Sequence, residues 1–181
     1  MNLDEAVEFL EDAVGSTQAA EWADFGAGNG TFTLALARLL GPGAHVVAVD
    51  RDRGSLRELE QRAAADGTRD CVTTLHADFT SMSDLPGVAV GTLDGLLFAN
   101  SLHYVKNAGA ILTELVKWLR PGGRVVFVEY DRRPPDRWVP YPIDADRLPE
   151  LCIAASLSAP VVTAKRPSDY GGNLYVAYAT R

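Results

Sequence analysis

Only two cysteines, Cys71 and Cys152, and three histidines, His45, His76 and His103, are spread along the 181 residues. No CxxC pair or clustered ligand spacing results, so the sequence gives no support for a disulfide framework, and no metal is expected. Apolar runs fall well short of the ~18 residues that a membrane-spanning helix needs, and no membrane partner is expected. The opening MNLDEAVEFLEDAV is acidic and carries Leu3, Val7, Leu10 and Val14 at helical spacing, unlike a basic, apolar export signal. The expected location is cytoplasmic. Positive charge is scarce too: 17 Lys and Arg against 24 Asp and Glu leave a formal net charge of −7. That balance offers phosphate backbones no general attraction, so extended nucleic-acid binding is not expected and a small-molecule partner is. The one basic run, DRRPPDRW, is diluted by Asp131 and Asp136 and reads equally as a solvated loop or as part of a ligand site.

What is present is an ordinary globular mixture, 47% hydrophobic and 23% charged, of a length that fits one domain spanning 1–181. Residues 1–20 read as an N-terminal helical segment. AEWADFG then reads as a strand, and TFTLALARLLG as a helix with Phe32, Ala35, Leu36 and Leu39 inward. HVVAVD and CVTTLHAD are further strands around the helix SLRELEQRAAADG. SMSDLPG is a short crossover, and LDGLLFAN a fourth strand apolar enough to be buried on both faces. AGAILTELVKWLRPGG predicts a helix running through Leu119 to Pro121, and RVVFVEY a fifth strand. The proline and aromatic stretch 131–149 reads as an ordered loop near the functional edge, before a helix around Leu148 to Leu157. APVVTAKR and LYVAYATR close the chain as an antiparallel pair. Strand–helix alternation of this kind predicts a mostly parallel sheet with an antiparallel last strand and helices on both faces, a Rossmann-like α/β fold.

In such sheets ligands bind at the carboxyl ends of the strands. WADFGAGNGT stands at such an end. Gly26 and Gly28 allow backbone angles and close approach that a Cβ forbids, and Ala27, Asn29 and Gly30 complete the turn into a helix N-terminus. A dinucleotide fingerprint requires a small third residue where this chain has Thr31, and Asp24 suits a ligand with an ammonium group better than a pyrophosphate. Asp50, about 20 residues on, is placed to accept the hydroxyls of a ribose. Asp78 can accept from the exocyclic amine of adenine, with Phe79 offering apolar contact. Asp50 and Asp78 also fit turn or capping roles. Taken together, the three acids describe a nucleoside with an amino-acid tail.

With DFGAGNGT, VVAVD, HADF, DGLLFANSLHY and LRPGGRVVFVEY in this order, residues 20–181 resemble the class I S-adenosylmethionine-dependent methyltransferases, in particular small bacterial methyltransferase domains. The resemblance implies a seven-stranded sheet whose seventh strand alone runs backwards. It also implies S-adenosylmethionine as cofactor, with S-adenosylhomocysteine as product. Asp24, Gly26, Gly28 and Gly30 then correspond to the cradle of the methionine part and Asp50 to the ribose ligand. Arg51 and Asp78 fall beside the adenine, and Asn100 beside the methionine tail.

Methyl transfer needs the acceptor held in line with the sulfonium methyl, and a base only where the accepting atom must lose a proton. His103, just past the fourth strand, is the best-placed titratable side chain for that role, and Tyr104 lies beside it. Glu129 and Asp131 at the end of the fifth strand, with Trp138 and Tyr141 in the proline loop, are candidate acceptor-facing residues. Alternation puts Glu129 and Asp131 on one face and Tyr130 on the other, so only one set points at a given ligand. The strand-four exit ANSLHY lacks the Pro-Pro-aromatic tetrad of DNA and protein-amide methyltransferases. Two readings compete with small-molecule methyl transfer: a non-catalytic cofactor-binding or partner-activating module, and a nicotinamide-dependent oxidoreductase, the latter disfavoured by Thr31 and Asp24.

Overall fold

The computed structural model describes residues 1–15 and 20–181. In chain order its main elements are α1 (Leu3–Val14), β1 (Glu21–Phe25), α2 (Thr31–Leu40), β2 (His45–Asp50), α3 (Arg53–Asp66), β3 (Val72–His76), β4 (Leu93–Ala99), α4 (Ala108–Leu115), β5 (Leu119–Asp131), α5 (Leu148–Ala154), β6 (Val161–Pro167) and β7 (Asn173–Thr180). The strands form one seven-stranded sheet in the order β3-β2-β1-β4-β5-β7-β6. β1 to β5 pair in parallel, and β7 lies antiparallel between β5 and β6. The chain winds outward from β1 to β3 and then returns to β4 on the other side of β1. That reversal opens a crevice where β1 and β4 end, the place an open α/β sheet offers a ligand.

Both faces of the sheet are covered because successive strand residues point opposite ways and most of them are apolar. Trp22, Val46, Val126 and Val176 pack under α1 and α2, against Leu10, Ala13, Ala35 and Leu36. Leu56, Leu59 and Ala63 of α3 meet Leu34 and Ala48 on the same side. On the opposite face Phe25, Phe98 and Phe127 stack across β1, β4 and β5 at 5.4 and 6.2 Å between ring centroids, beneath α4 and α5. The indole of Trp22 fits because its partner in register on β4 is Gly95, where any Cβ would collide with the ring.

Three expectations change. α1 buries Ala6, Phe9, Leu10, Ala13 and Val14, while Leu3 and Val7 are only partly covered. Phe9 with Ala6 and Ala13 completes the buried stripe, in the cluster that α1 shares with Ala35 and Leu36 of α2 and Val176 of β7. The helix ends at Val14 under Gly15, and residues 16–19 of the segment read as 1–20 lie outside the described residues. α4 ends at Leu115 and passes through a 3-10 turn, Val116–Trp118, so that Leu119 to Gly123 already belong to β5. The turn places both Val116 and Trp118 in the core, which a continuing α-helix would not do. The connection 77–92 from β3 to β4 is irregular, in line with the short crossover expected at SMSDLPG.

Candidate active site

The glycine turn is set by backbone angles. Gly26, Gly28 and Gly30 all have positive φ, at 85°, 53° and 85°. The amides of Gly26 and Ala27 both donate to the Val49 carbonyl, at 2.8 and 3.0 Å, and the Gly28 amide donates to Asp50 Oδ2 at 2.7 Å. The turn is thus tied to the end of β2. A Cβ on Gly26 would collide with Ser101, and one on Gly30 with Leu59 of α3. Gly30 caps α2 and lets Leu59 of α3 approach it, and it lines none of the three cavities described below.

Two cavities meet over this turn. One, of about 460 Å³, is lined by Gly26, Gly28, Asp50, Arg51, Asp78, Phe79, Asn100, Ser101 and Tyr104, among others. The other, of about 330 Å³, is bordered by Asp24, Gly26, Ala27, Gly28, Asn29 and Asn100. Asp24 is 1% exposed, with one carboxylate oxygen accepting from Thr33 Oγ1 at 2.6 Å and the other, Oδ1, buried without a partner. Burial, reinforced by the nearby Asp50 charge against the Thr33 hydrogen bond, pushes its carboxyl up to about 7. Asn100 Oδ1 and Ser101 Oγ are likewise buried without partners. Asn100 has φ 53°, and its amide donates to Val128 at 2.8 Å as the chain turns out of β4. Buried polar atoms are nearly always paired, so three orphans at the edge of two adjoining cavities mark a place built for a polar ligand.

A third cavity, of about 370 Å³, opens beyond Asn100 and Tyr104, which line the first as well. Its walls also include His103, Tyr130, Arg133, Trp138, Val139 and Tyr170. His103 is 2% exposed, and its Nδ1 lies 2.6 Å from Glu129 Oε2. Glu129, fully buried, also accepts from the amides of Leu102 (3.0 Å) and His103 (3.3 Å). The two amides donate to Oε1, and with Oε2 accepting from the ring, Nδ1 carries the proton and Nε2 is left for the cavity. Burial and the Glu129 charge push the Tyr104 hydroxyl up, and burial does the same to Tyr130, so neither phenol competes as a base near neutral pH.

Several candidates hold other posts. Glu129 and Asp131 line none of these cavities. Glu129 is occupied behind His103, while Asp131 accepts from Ala145 N at 3.1 Å and from Lys165, pinning the loop to β6. The residue of that stretch that lines the third cavity is Tyr130. The Tyr141 side chain lies outside the third cavity, and its amide donates to the His103 carbonyl at 2.9 Å. Asp50 and Asp78 line the first cavity while also serving turns. Asp50 Oδ1 accepts from Asp52 N, and Asp78 Oδ1 accepts from the amide and hydroxyl of Thr80, which lower its carboxyl below the usual range. Ser101, Thr33 and Tyr170 carry no expectation from sequence, whereas Arg133 belongs to DRRPPDRW, which reads equally as a solvated loop or as part of a ligand site. Ser101 follows Asn100 directly and was within reach of that reading. Tyr170 was not, because only the pairing of β7 with β5 carries its turn to this edge.

This sheet, with β7 reversed and a glycine-lined cleft at the ends of β1 and β4, defines the class I S-adenosylmethionine-dependent methyltransferase fold. A family model described as "Methyltransferase domain" matches residues 23–123, more than half of the chain. The chain belongs to this methyltransferase-domain family. It is 39% identical over 111 residues to a demethylmenaquinone methyltransferase of Clavibacter sepedonicus, covering 61% of this chain and 41% of the relative. The chain spans 41% to 50% of the length of the curated relatives it matches. Among solved structures, a SAM-dependent methyltransferase from Aquifex aeolicus superposes with a TM-score of 0.74 at 16% identity, over 96% of this chain and 88% of that one, a likeness of fold alone. The 1,6-didemethyltoxoflavin-N1-methyltransferase of Burkholderia thailandensis, solved with 1,6-didemethyltoxoflavin and S-adenosylhomocysteine, is 25% identical with a TM-score of 0.73, over 99% of this chain and 77% of that one.

Proposed function

We propose that this chain transfers a methyl group from S-adenosylmethionine to a small acceptor held in the cavity walled by His103, Tyr104 and Tyr130. The observation that carries the reading is Asn100, which borders all three cavities and so stands where cofactor and acceptor would meet. The residues fit the cofactor. Asp24 Oδ1, Asn100 Oδ1 and Ser101 Oγ supply buried acceptors for an aminoacyl tail, and the space a Cβ on Gly28 would take is kept clear. Asp50, Arg51, Asp78 and Phe79 would receive the adenosine. When bound, S-adenosylmethionine supplies an electrophilic methyl carbon whose sulfur keeps the bonding electron pair and leaves as a neutral thioether.

The chain's own contribution is placement and proton removal. Asp24, half-neutral near pH 7, ionises fully beside a cationic tail. His103 Nε2 takes the proton of the accepting atom, and Glu129 orients the ring and stabilises the charge that then forms on it. Glu129 is therefore a positioning residue. This paired base favours catalysis over a non-catalytic cofactor-binding module. Methyl-tritiated cofactor offered with a panel of phenol, amine, thiol and activated-carbon acceptors tests the reading, with label expected on at least one class. Protein that binds S-adenosylhomocysteine but labels none of them would leave the non-catalytic reading in its place.

A further inference from the structure

The acceptor cavity has a chemical bias of its own. Four of its side chains are aromatic: Tyr104, Tyr130, Trp138 and Tyr170. Among the described residues Arg133 is the one Lys, Arg, Asp or Glu on its wall, and it is 8% exposed. Its guanidinium lies over the Tyr130 ring at 4.6 Å from the centroid and 5.9 Å from that of Tyr170. One of its five N–H groups is accounted for, by Nη2 donating to Asp136 Oδ2 at 2.8 Å. Asp136 itself is committed to the loop, since its other oxygen accepts from the amides of Trp138 and Val139, both at 2.7 Å. Arg133 is therefore held in place by the loop and stacked on a ring, with donors to spare toward the cavity.

Resting on the methyl-transfer reading above, we infer that the acceptor is a planar hydroxyarene bearing a carboxylate, with its ring between the aromatic walls, its carboxylate on Arg133 and its hydroxyl at His103. A guanidinium's fork of donors matches a carboxylate bidentately, which a neutral phenol cannot exploit. Tyr104, Trp138 and Tyr170 are 48%, 59% and 74% exposed, and rings open in this way select a flat ligand over an aliphatic one of equal charge. Tyr130 connects the two poles, because its ring is 5.7 Å from that of His103 and carries the Arg133 guanidinium on its face. A volume of about 370 Å³ lies at the small end of ligand pockets, suited to one or two fused rings.

The test titrates S-adenosylhomocysteine-loaded protein with hydroxybenzoate and hydroxynaphthoate, with phenol and naphthol as their uncharged counterparts and with cyclohexanecarboxylate. Tryptophan fluorescence is the readout, since Trp138 is exposed at the cavity while Trp22 and Trp118 are buried in the core. The hydroxyaryl carboxylates should bind at least tenfold tighter than the uncharged arenes and the aliphatic acid. Arg133→Met should erase the advantage over phenol and naphthol while S-adenosylhomocysteine binding stays as in wild type. Equal binding of charged and uncharged arenes by the wild-type protein, or no binding of either carboxylate, overturns the inference whatever the variant does. If S-adenosylhomocysteine itself fails to bind, the methyl-transfer reading falls first.

Discussion

Asp24 shows how burial turns a familiar residue into a coupled one. Its carboxyl takes up a proton at a higher pH in the folded protein, about 7, than its ordinary value of 3.8 in the unfolded chain. The folded state therefore holds more protons between these values. Stability is greatest on this account below about pH 4, falls as the pH rises to about 7, and is flat above. At about 1.4 kcal/mol per unit the decline amounts to a few kcal/mol. Urea denaturation at a series of pH values should show that slope, and Asp24→Asn should flatten it while weakening S-adenosylhomocysteine binding. A parallel argument applies to His103. Glu129→Gln keeps an oxygen for the two backbone amides but presents an N–H to Nδ1, forcing the proton to Nε2 and removing the base. Its turnover should fall by about 100-fold or more, as in His103→Gln, with cofactor affinity unchanged. Equal turnover with the wild type in a steady-state assay would take His103 out of the chemistry.

At the scale of elements, the glycine turn separates packing from ligand clearance. Gly30 has φ 85° and sits against Leu59, so Gly30→Ala must strain the backbone and push α3 away from α2. A loss of about 2 kcal/mol or more in chemical denaturation is expected. Gly28, with φ 53° and open space around it, should cost only about 1 kcal/mol as alanine, its main effect being on cofactor affinity. Sequence reasoning carried far here, since β1, α2, β2 and α3 were legible from apolar periodicity and the glycines between them. It failed where tertiary packing overrides pattern. The run Leu115 to Leu119 keeps helical spacing in sequence, yet core burial of Val116 and Trp118 turns it into a 3-10 link and a strand. At the site, Asp50 and Asp78 were legible by position, but their double service in turns was not. Glu129 read as acceptor-facing because alternation leaves two faces open, and only the fold shows which one carries Tyr130 to the cavity.

For the whole molecule, the winding of β1 to β3 and the return to β4 bring three cavities to one edge, joined at Asn100. A ligand bound there stabilises the entire fold, not one loop. At a concentration 100-fold above its dissociation constant, S-adenosylhomocysteine should add about 2.7 kcal/mol and raise the melting temperature by roughly 5–10 °C in a thermal scan. The central claim, that this edge is an S-adenosylmethionine site, is tested most directly by calorimetric titration with S-adenosylhomocysteine of the wild type and of Asp50→Ala. The account predicts one site per chain in the wild type and at least a tenfold loss of affinity in the variant. Absence of binding to a folded wild-type protein would contradict it.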